Sequence, residues 1–109
     1  MKAKKNEISE AEIQAQLAMQ AYAKANKITI LAFRRESFSG VLIGVAVEQR
    51  TRWDGKPSYT FGRVYQIFAE QCSYYQQGCG HYDNFKEAHK NALEFFGIKQ
   101  HHYANAQSH

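Results

Sequence analysis

Between two helix-like segments the hydrophobic pattern changes its period, and this change constrains the fold more than any other feature of the chain. Residues 28–34 and 41–49 are interpreted as segments with a period of two, and β-branched residues are frequent in them. A period of two is typical of a β-strand with one buried face. Residues 37–40, Ser-Phe-Ser-Gly, separate the two segments as a hairpin turn. Two antiparallel strands are therefore predicted here.

A third strand is predicted from about residue 58 to residue 68. Asp54-Gly55 and Pro57 indicate a chain reversal before it, because glycine adopts a positive φ and proline presets its own φ. Gly62 inside the segment is compatible with a bend, and the strand pattern extends weakly towards Tyr74. The middle of the chain is thus predicted to be three consecutive antiparallel strands.

Capping motifs mark a helix on each side of these strands. Ser9 and Asn84 are each followed three residues later by glutamate, which is the spacing of a capping box. The first helix is predicted from residue 10 to about residue 25. The second is predicted to end at Gly97, because glycine suits the left-handed residue of a Schellman motif.

Hydrophobic periodicity predicts which side of each helix is buried. In the first helix that side carries Ile13, Leu17, Ala21 and Ala25, widened by Ala18 and Tyr22. In the second it carries Phe85, Ala88, Ala92, Leu93 and Phe96. Two such helices most simply pack on the same side of a sheet. The predicted fold is therefore α+β in the order αβββα, an antiparallel meander with two helices packed on one face.

A chain of 109 residues is the size of a single domain. We expect one α+β domain over residues 9–99, with flexible segments at residues 1–8 and 100–109. The longest apolar run, residues 41–47, is too short to cross a bilayer, and the first residues lack the apolar core of a signal peptide. A cytoplasmic location without membrane contact is expected, in which Cys72 and Cys79 are free thiols.

The net charge of +4 is concentrated in the middle of the chain, where all five arginines lie. Such an excess suits nucleic acid or an acidic protein surface, and it also serves solubility alone. Arginine and tryptophan in a short loop are typical of protein interfaces. The candidate partner-binding residues are Arg34, Arg35, Arg50, Arg52, Trp53, Lys56 and Arg63.

The meander predicts how this candidate set is distributed. Arg34 and Arg35 end the first strand, whereas Arg50 and Arg52 end the second, so the two pairs are expected at opposite ends of the sheet. This separation argues against one compact phosphate-binding cluster. For Trp53 a structural alternative stays open, in which the side chain folds over the sheet edge.

The sequence gives weak support for a metal site or for catalysis. Cys72, Cys79, His81 and His89 offer metal-ligand atoms, but their spacing matches no common zinc pattern, and no metal or other cofactor is expected. His89 lies on the apolar side of the second helix, where a backbone-bonded histidine is the ordinary explanation. Cys79 and His81 lie on a glycine-flanked turn, which rarely aligns a nucleophile and a base. The carboxylates lie at caps or on solvated faces, so the protein is not expected to be an enzyme.

The segment from residue 73 to residue 83 is predicted to be a turn that joins the sheet to the second helix, because two glycines one residue apart allow a left-handed bend. Its candidate contact residues are Gly78, Gly80, His81 and Tyr82.

Residues 65–98 resemble a segment of small orphan proteins carried by phages and plasmids, in which a strand is followed by a Gly-x-Gly-Tyr-Asp turn, an Ala-rich helix and a closing Gly-Ile. The matching residues are Gly78, Gly80, Tyr82, Asp83, Ala88, Ala92, Leu93, Gly97 and Ile98, with His81 inserted before the tyrosine. The resemblance covers about a third of the chain. It implies a mobile-element accessory protein of the anti-CRISPR or anti-defence kind, without catalytic activity.

The order αβββα, with a Gly-x-Gly segment before the last helix, also resembles a double-stranded RNA-binding domain. That family has a lysine cluster at the start of the last helix, whereas this chain has Asp-Asn-Phe-Lys at residues 83–86. The favoured hypothesis is a non-catalytic inhibitor that binds a host protein or ribonucleoprotein complex of defence or nucleic-acid processing. The alternative is a module that binds nucleic acid directly through its arginines.

Overall fold

The computed structural model describes residues 9–98, apart from the side chain of Cys79. Its elements are α1 Glu10–Ala25, β1 Ile28–Arg35, β2 Leu42–Thr51, β3 Pro57–Phe68, β4 Gln71–Tyr82 and α2 Phe85–Phe95. The strands form one antiparallel sheet in the order β1-β2-β3-β4. The predicted α+β class and antiparallel meander are confirmed. The segments predicted to be flexible, residues 1–8 and 100–109, lie outside the described residues.

The predicted helix boundaries are confirmed by their caps. The Ser9 side chain accepts a hydrogen bond from the backbone N–H three residues later at 3.2 Å, and the Asn84 side chain accepts the equivalent bond at 2.8 Å. At the end of α2, Gly97 has a φ of 70°, and the Ile98 N–H donates to the Leu93 carbonyl at 2.8 Å. These bonds satisfy backbone groups that the helices leave unpaired.

The sheet contains a fourth strand where the sequence predicts a turn. Most of segment 73–83 belongs to β4, which pairs with β3. The tight turn between β3 and β4 contains Ala69, which has a φ of 52°. Because this turn lacks the glycine, proline or asparagine that commonly marks a reversal, its sequence carries no turn signal.

The two helices pack on opposite faces of the sheet, so their predicted placement on one face is wrong. Val45 and Val47 of β2 belong to the core cluster of α2, whereas Ala46 between them belongs to the cluster of Met19 and α1. Successive residues of a strand point to opposite faces. β2 is buried at every position from Ile43 to Val47, as a strand covered on both faces must be.

The side of α1 that packs on the sheet also differs from the predicted one. Ala15, Met19 and Ala23 are buried, whereas Ile13 and Leu17 are 44% and 54% exposed. The helix is apolar on two sides, so periodicity does not distinguish them, and the small alanines allow a close approach to the sheet. The predicted buried side of α2 is confirmed.

Candidate functional site

The β2–β3 hairpin projects beyond the neighbouring strand. β1 begins at Ile28, which pairs with Glu48 of β2, so residues 50–58 extend past the start of β1. On the turn of this hairpin the Trp53 side chain is 93% exposed. The alternative prediction, in which Trp53 folds over the sheet edge, is therefore wrong. An indole this exposed adds little to the core, because burial of apolar area is what stabilises.

The turn that carries Trp53 is ordered by its own hydrogen bonds. The Arg52 N–H donates to the Lys56 carbonyl at 2.8 Å, and the Gly55 N–H donates to the Arg52 carbonyl at 2.9 Å. The Asp54 carboxylate accepts from the Lys56 N–H at 3.1 Å and from the Arg52 guanidinium at 3.0 Å. Gly55 has a φ of 84°, which a three-residue hairpin loop requires and glycine adopts without strain. The predicted reversal at Asp54-Gly55 is confirmed.

A shallow cavity of about 400 Å³ lies beside this turn, and its lining comes from the hairpin and from the end of β4. Residues from both predicted sets meet there: Arg50, Arg52 and Trp53 of the basic middle and His81 of the glycine segment. Ser58 and Asp83 also line it and were missed by the sequence analysis. Only the pairing of β3 with β4 brings them together, and β4 was not predicted.

The glycine segment that was predicted to be a turn is a bulge inside β4. Tyr82 and Gln77 pair with β3 residues only two positions apart, so the four β4 residues between them face a single residue of β3. Gly78 has a φ of 73°, the left-handed conformation that lets the extra residues leave the ladder. The glycines therefore serve a bulge and not a connection to α2.

The bulge assigns different roles to two predicted contact residues. The Tyr82 ring lies 6.1 Å from the ring of Phe61 and packs against the core beneath α2. His81 is exposed, and its Nδ1 lies 3.2 Å from the Oγ of Ser58, which is 5% exposed. Within residues 9–98 no carboxylate bonds the His81 ring. The pair thus lacks the third group that orients a catalytic histidine.

The arginines at the hairpin already hold carboxylates of this chain. The Arg50 Nε lies 2.7 Å from the Glu48 Oε1. The Arg52 guanidinium lies 3.0 Å from Asp54 and 3.7 Å from Asp83. A guanidinium with a carboxylate partner must give up that partner before it binds a phosphate in the same geometry. The hairpin therefore presents less unpaired positive charge than its sequence suggests.

Arg50 also begins a polar chain that supports the base of the hairpin. The Thr60 hydroxyl donates to the Glu48 Oε1 at 3.3 Å, and the Tyr74 hydroxyl lies 2.8 Å from the Thr60 Oγ1. Because the single proton of Thr60 goes to Glu48, the Tyr74 hydroxyl is the donor to Thr60. Burial raises the pKa of Tyr74 to about 12, so this donor keeps its proton at neutral pH.

Arg34 and Arg35 lie at the other end of the sheet, as predicted, opposite Ile43 and Leu42. The Arg34 guanidinium donates to the carbonyl of Phe96 just after α2. Arg35 forms an ion pair with a glutamate in the first turn of α1 and donates to the carbonyl of the β1–β2 turn at 2.7 Å. Both arginines thus tie the helices and the turn to the sheet.

Arg63 lies in the middle of the sheet, apart from both ends. It forms an ion pair with Glu36, donates to the Gln77 Oε1 at 2.9 Å, and lies 5.9 Å from the centre of the Tyr75 ring. Lys56 is exposed and has no ion-pair partner within residues 9–98. The seven predicted partner-binding residues therefore divide into three places, and only four of them lie at the hairpin.

In the part of the chain that the structure describes, no three Cys, His, Asp or Glu side chains lie where they could hold an ion, so Cys72, His81 and His89 form no such group. Cys72 packs against the core under α1, and burial raises its pKa, which disfavours a reactive thiolate. The His89 ring lies 5.7 Å from the Phe85 ring, and burial lowers its pKa. The Cys79 side chain lies outside the described structure.

Comparisons with protein-family models, curated proteins and solved structures found no match to this chain. Among residues 9–98 no helix is both long and apolar enough to span a bilayer.

Proposed function

We propose that the protein is a non-catalytic binding protein that engages a target protein through the turn of the β2–β3 hairpin. The observation that carries the proposal is Trp53, 93% exposed on a turn with four hydrogen bonds of its own. Tryptophan and arginine supply much of the binding energy at protein interfaces. An ordered turn also loses little conformational entropy on binding.

The charges at the hairpin favour a protein target over nucleic acid. Binding to phosphates needs cations that release counterions from the nucleic acid. Arg50 and Arg52 have carboxylate partners, which leaves Lys56 as the unpaired cation of the turn within the described residues. The cavity beside Trp53 offers room of about 400 Å³ for side chains of a partner.

The proposed target is a protein or ribonucleoprotein complex of host defence or nucleic-acid processing, which the protein inhibits by occupying a surface. This class rests on the resemblance to orphan proteins of phages and plasmids, of the anti-CRISPR kind. Two observations weaken the alternative, in which the protein binds nucleic acid directly. The resemblance to a double-stranded RNA-binding domain depends on three strands, whereas this chain has four. The hairpin arginines that would bind nucleic acid have carboxylate partners.

Capture from a lysate of the source organism, with and without nuclease, tests the proposal. The wild type is compared with Trp53→Ala and with Phe38→Ala, a matched control because Phe38 is a fully exposed aromatic residue on the β1–β2 turn at the other end of the sheet. We expect the wild type and Phe38→Ala to retain one defined protein after nuclease treatment, and Trp53→Ala to lose it. Recovery of nucleic acid alone, equally in all three, would refute the proposal.

A further inference from the structure

The outer side of α1 carries an apolar stripe that residues 9–98 leave about half exposed. Ile13 and Leu17 are 44% and 54% exposed, and Ala21 continues the line. Residues four apart lie one turn apart on the same side of a helix. Met19, at the centre of the buried side, lies roughly 160° around the helix from Leu17. The stripe is therefore separate from the surface that packs on the sheet.

A groove of about 480 Å³ runs beside this stripe, lined on α1 by Leu17, Ala18 and Ala21, near the end of β3 by Gln66, and on the β3–β4 turn by Ala69 and Glu70. Alanine side chains let a second helix approach closely. The groove thus continues the surface of the stripe towards the sheet, where Gln66 and Glu70 make its wall polar.

Opposite charges terminate the stripe at its two ends. Glu10 and Lys24 each lie seven residues from Leu17, which places them within about 20° of its position around the helix. Both are exposed, and neither has an ion-pair partner within residues 9–98, where the carboxylate of Glu12 is paired with Arg35. The surface is therefore negative, apolar and positive in order along the helix. Such a surface is complementary to itself after a half-turn.

We propose that α1 binds α1 of a second copy of this chain, antiparallel, about a two-fold axis at Leu17. In this arrangement Leu17 meets the partner's Leu17, and Ile13 meets the partner's Ala21, so that a large side chain faces a small one. Glu10 meets the partner's Lys24 at both ends. A parallel pair would instead bring like charges together. The antiparallel interface is isologous, which means that the same surface is used by both copies, and it therefore closes as a dimer.

Charge reversal tests this geometry by sedimentation equilibrium at low salt. Glu10→Lys and Lys24→Glu should each weaken self-association about tenfold, because like charges then meet at both ends of the dimer. An equimolar mixture of the two variants should associate as tightly as the wild type, since each end again joins lysine to glutamate. Glu94→Lys, the same reversal at an exposed position on α2, should change nothing. A mixture that associates no better than the single variants would overturn the antiparallel arrangement.

A second variant tests the apolar stripe. Leu17→Glu should abolish self-association, whereas Phe38→Glu, which charges a fully exposed aromatic residue outside α1, should keep it. Circular dichroism spectra that match the wild type verify folding, because Leu17 is an outer residue of α1. A wild type that stays monomeric at every concentration would refute the proposal. Trp53→Ala should dimerise normally, so failure of the dimer and failure of the hairpin site can be distinguished.

Discussion

Replacing Gly62 with alanine should force β3 and β4 apart at the centre of the sheet. A Cβ at this position would lie 2.0 Å from the Tyr75 carbonyl oxygen and 2.9 Å from the Tyr75 carbonyl carbon. Both are backbone atoms, which cannot rotate away as a side chain does. The strands must therefore separate by about 1 Å or more before the new methyl group reaches ordinary contact.

The expected cost combines overpacking with lost hydrogen bonds. Overpacking of a filled site costs about 1–3 kcal/mol, and each ladder bond that the separation weakens adds about 1 kcal/mol. We therefore expect Gly62→Ala to destabilise by about 3 kcal/mol and to lower the thermal midpoint by more than about 10 °C. Gly80→Ala is the matched control, because its nearest neighbour beyond the adjacent residues, the Tyr82 hydroxyl, would lie 3.8 Å away. It should change stability by no more than about 0.5 kcal/mol.

Urea unfolding followed by far-ultraviolet circular dichroism measures both variants. Fluorescence is a poor probe here, because the single tryptophan is 93% exposed in the folded chain. Equal stability of Gly62→Ala and the wild type, or an equal loss in both alanine variants, would refute the close approach of β3 and β4.

The other predictions concern caps, pH and metal. Ser9→Ala and Asn84→Ala should each cost about 1 kcal/mol, because each removes the acceptor of a helix cap; unchanged urea midpoints would contradict the helix starts. The pKa of Tyr74 rises from 10.0 unfolded to about 12 folded, so its stabilising effect is complete below pH 10 and is lost as the pH rises towards 12. Tyr74→Phe should therefore flatten the alkaline stability profile, and an unchanged slope would argue against the buried phenol. Chelation with EDTA should leave the thermal midpoint unchanged, whereas stoichiometric zinc with unfolding on its removal would contradict a metal-free fold.

Local sequence signals predicted the helices well, because caps depend only on neighbouring residues. Ser9, Asn84 and Gly97 each mark a boundary within one turn of chain, and all three adopt the predicted role. The β3–β4 turn could not be recognised, because Ala69 adopts a left-handed φ that its residue type does not favour. Because β4 was not predicted, the strand pairing that brings His81 to Ser58 could not be predicted either.

Burial was predictable for α2 and not for α1. The apolar side of α2 is opposed by charged residues, whereas α1 has apolar residues both at Leu17 and at Met19 on its opposite side. Which side meets the sheet is then decided by packing across the sheet, and sequence periodicity holds no information on it. Both faces of the sheet need a helix to cover them, because β2 has no polar face between Ile43 and Val47.

The hairpin was the part of the candidate site that the sequence predicted best. Asp54-Gly55 predicts the position of the turn, and Trp53 beside it indicates a binding residue on that turn. One of the carboxylate contacts of these arginines was not predictable, because Asp83 reaches Arg52 only through the pairing of β4 with β3. The other two join Arg50 to Glu48 and Arg52 to Asp54, which lie two residues away in the sequence. A positive sequence segment thus became a largely neutralised surface after folding.

The most direct test of the proposed binding site is calorimetric titration of the purified target with the wild type, Trp53→Ala and Phe38→Ala. If Trp53 is the central contact, Trp53→Ala should raise Kd by about 30-fold or more, the equivalent of about 2 kcal/mol, while Phe38→Ala stays close to the wild type. The wild-type Kd should also change little between low and moderate salt. Equal Kd values for wild type and Trp53→Ala, with affinity that falls steeply with salt, would contradict the account.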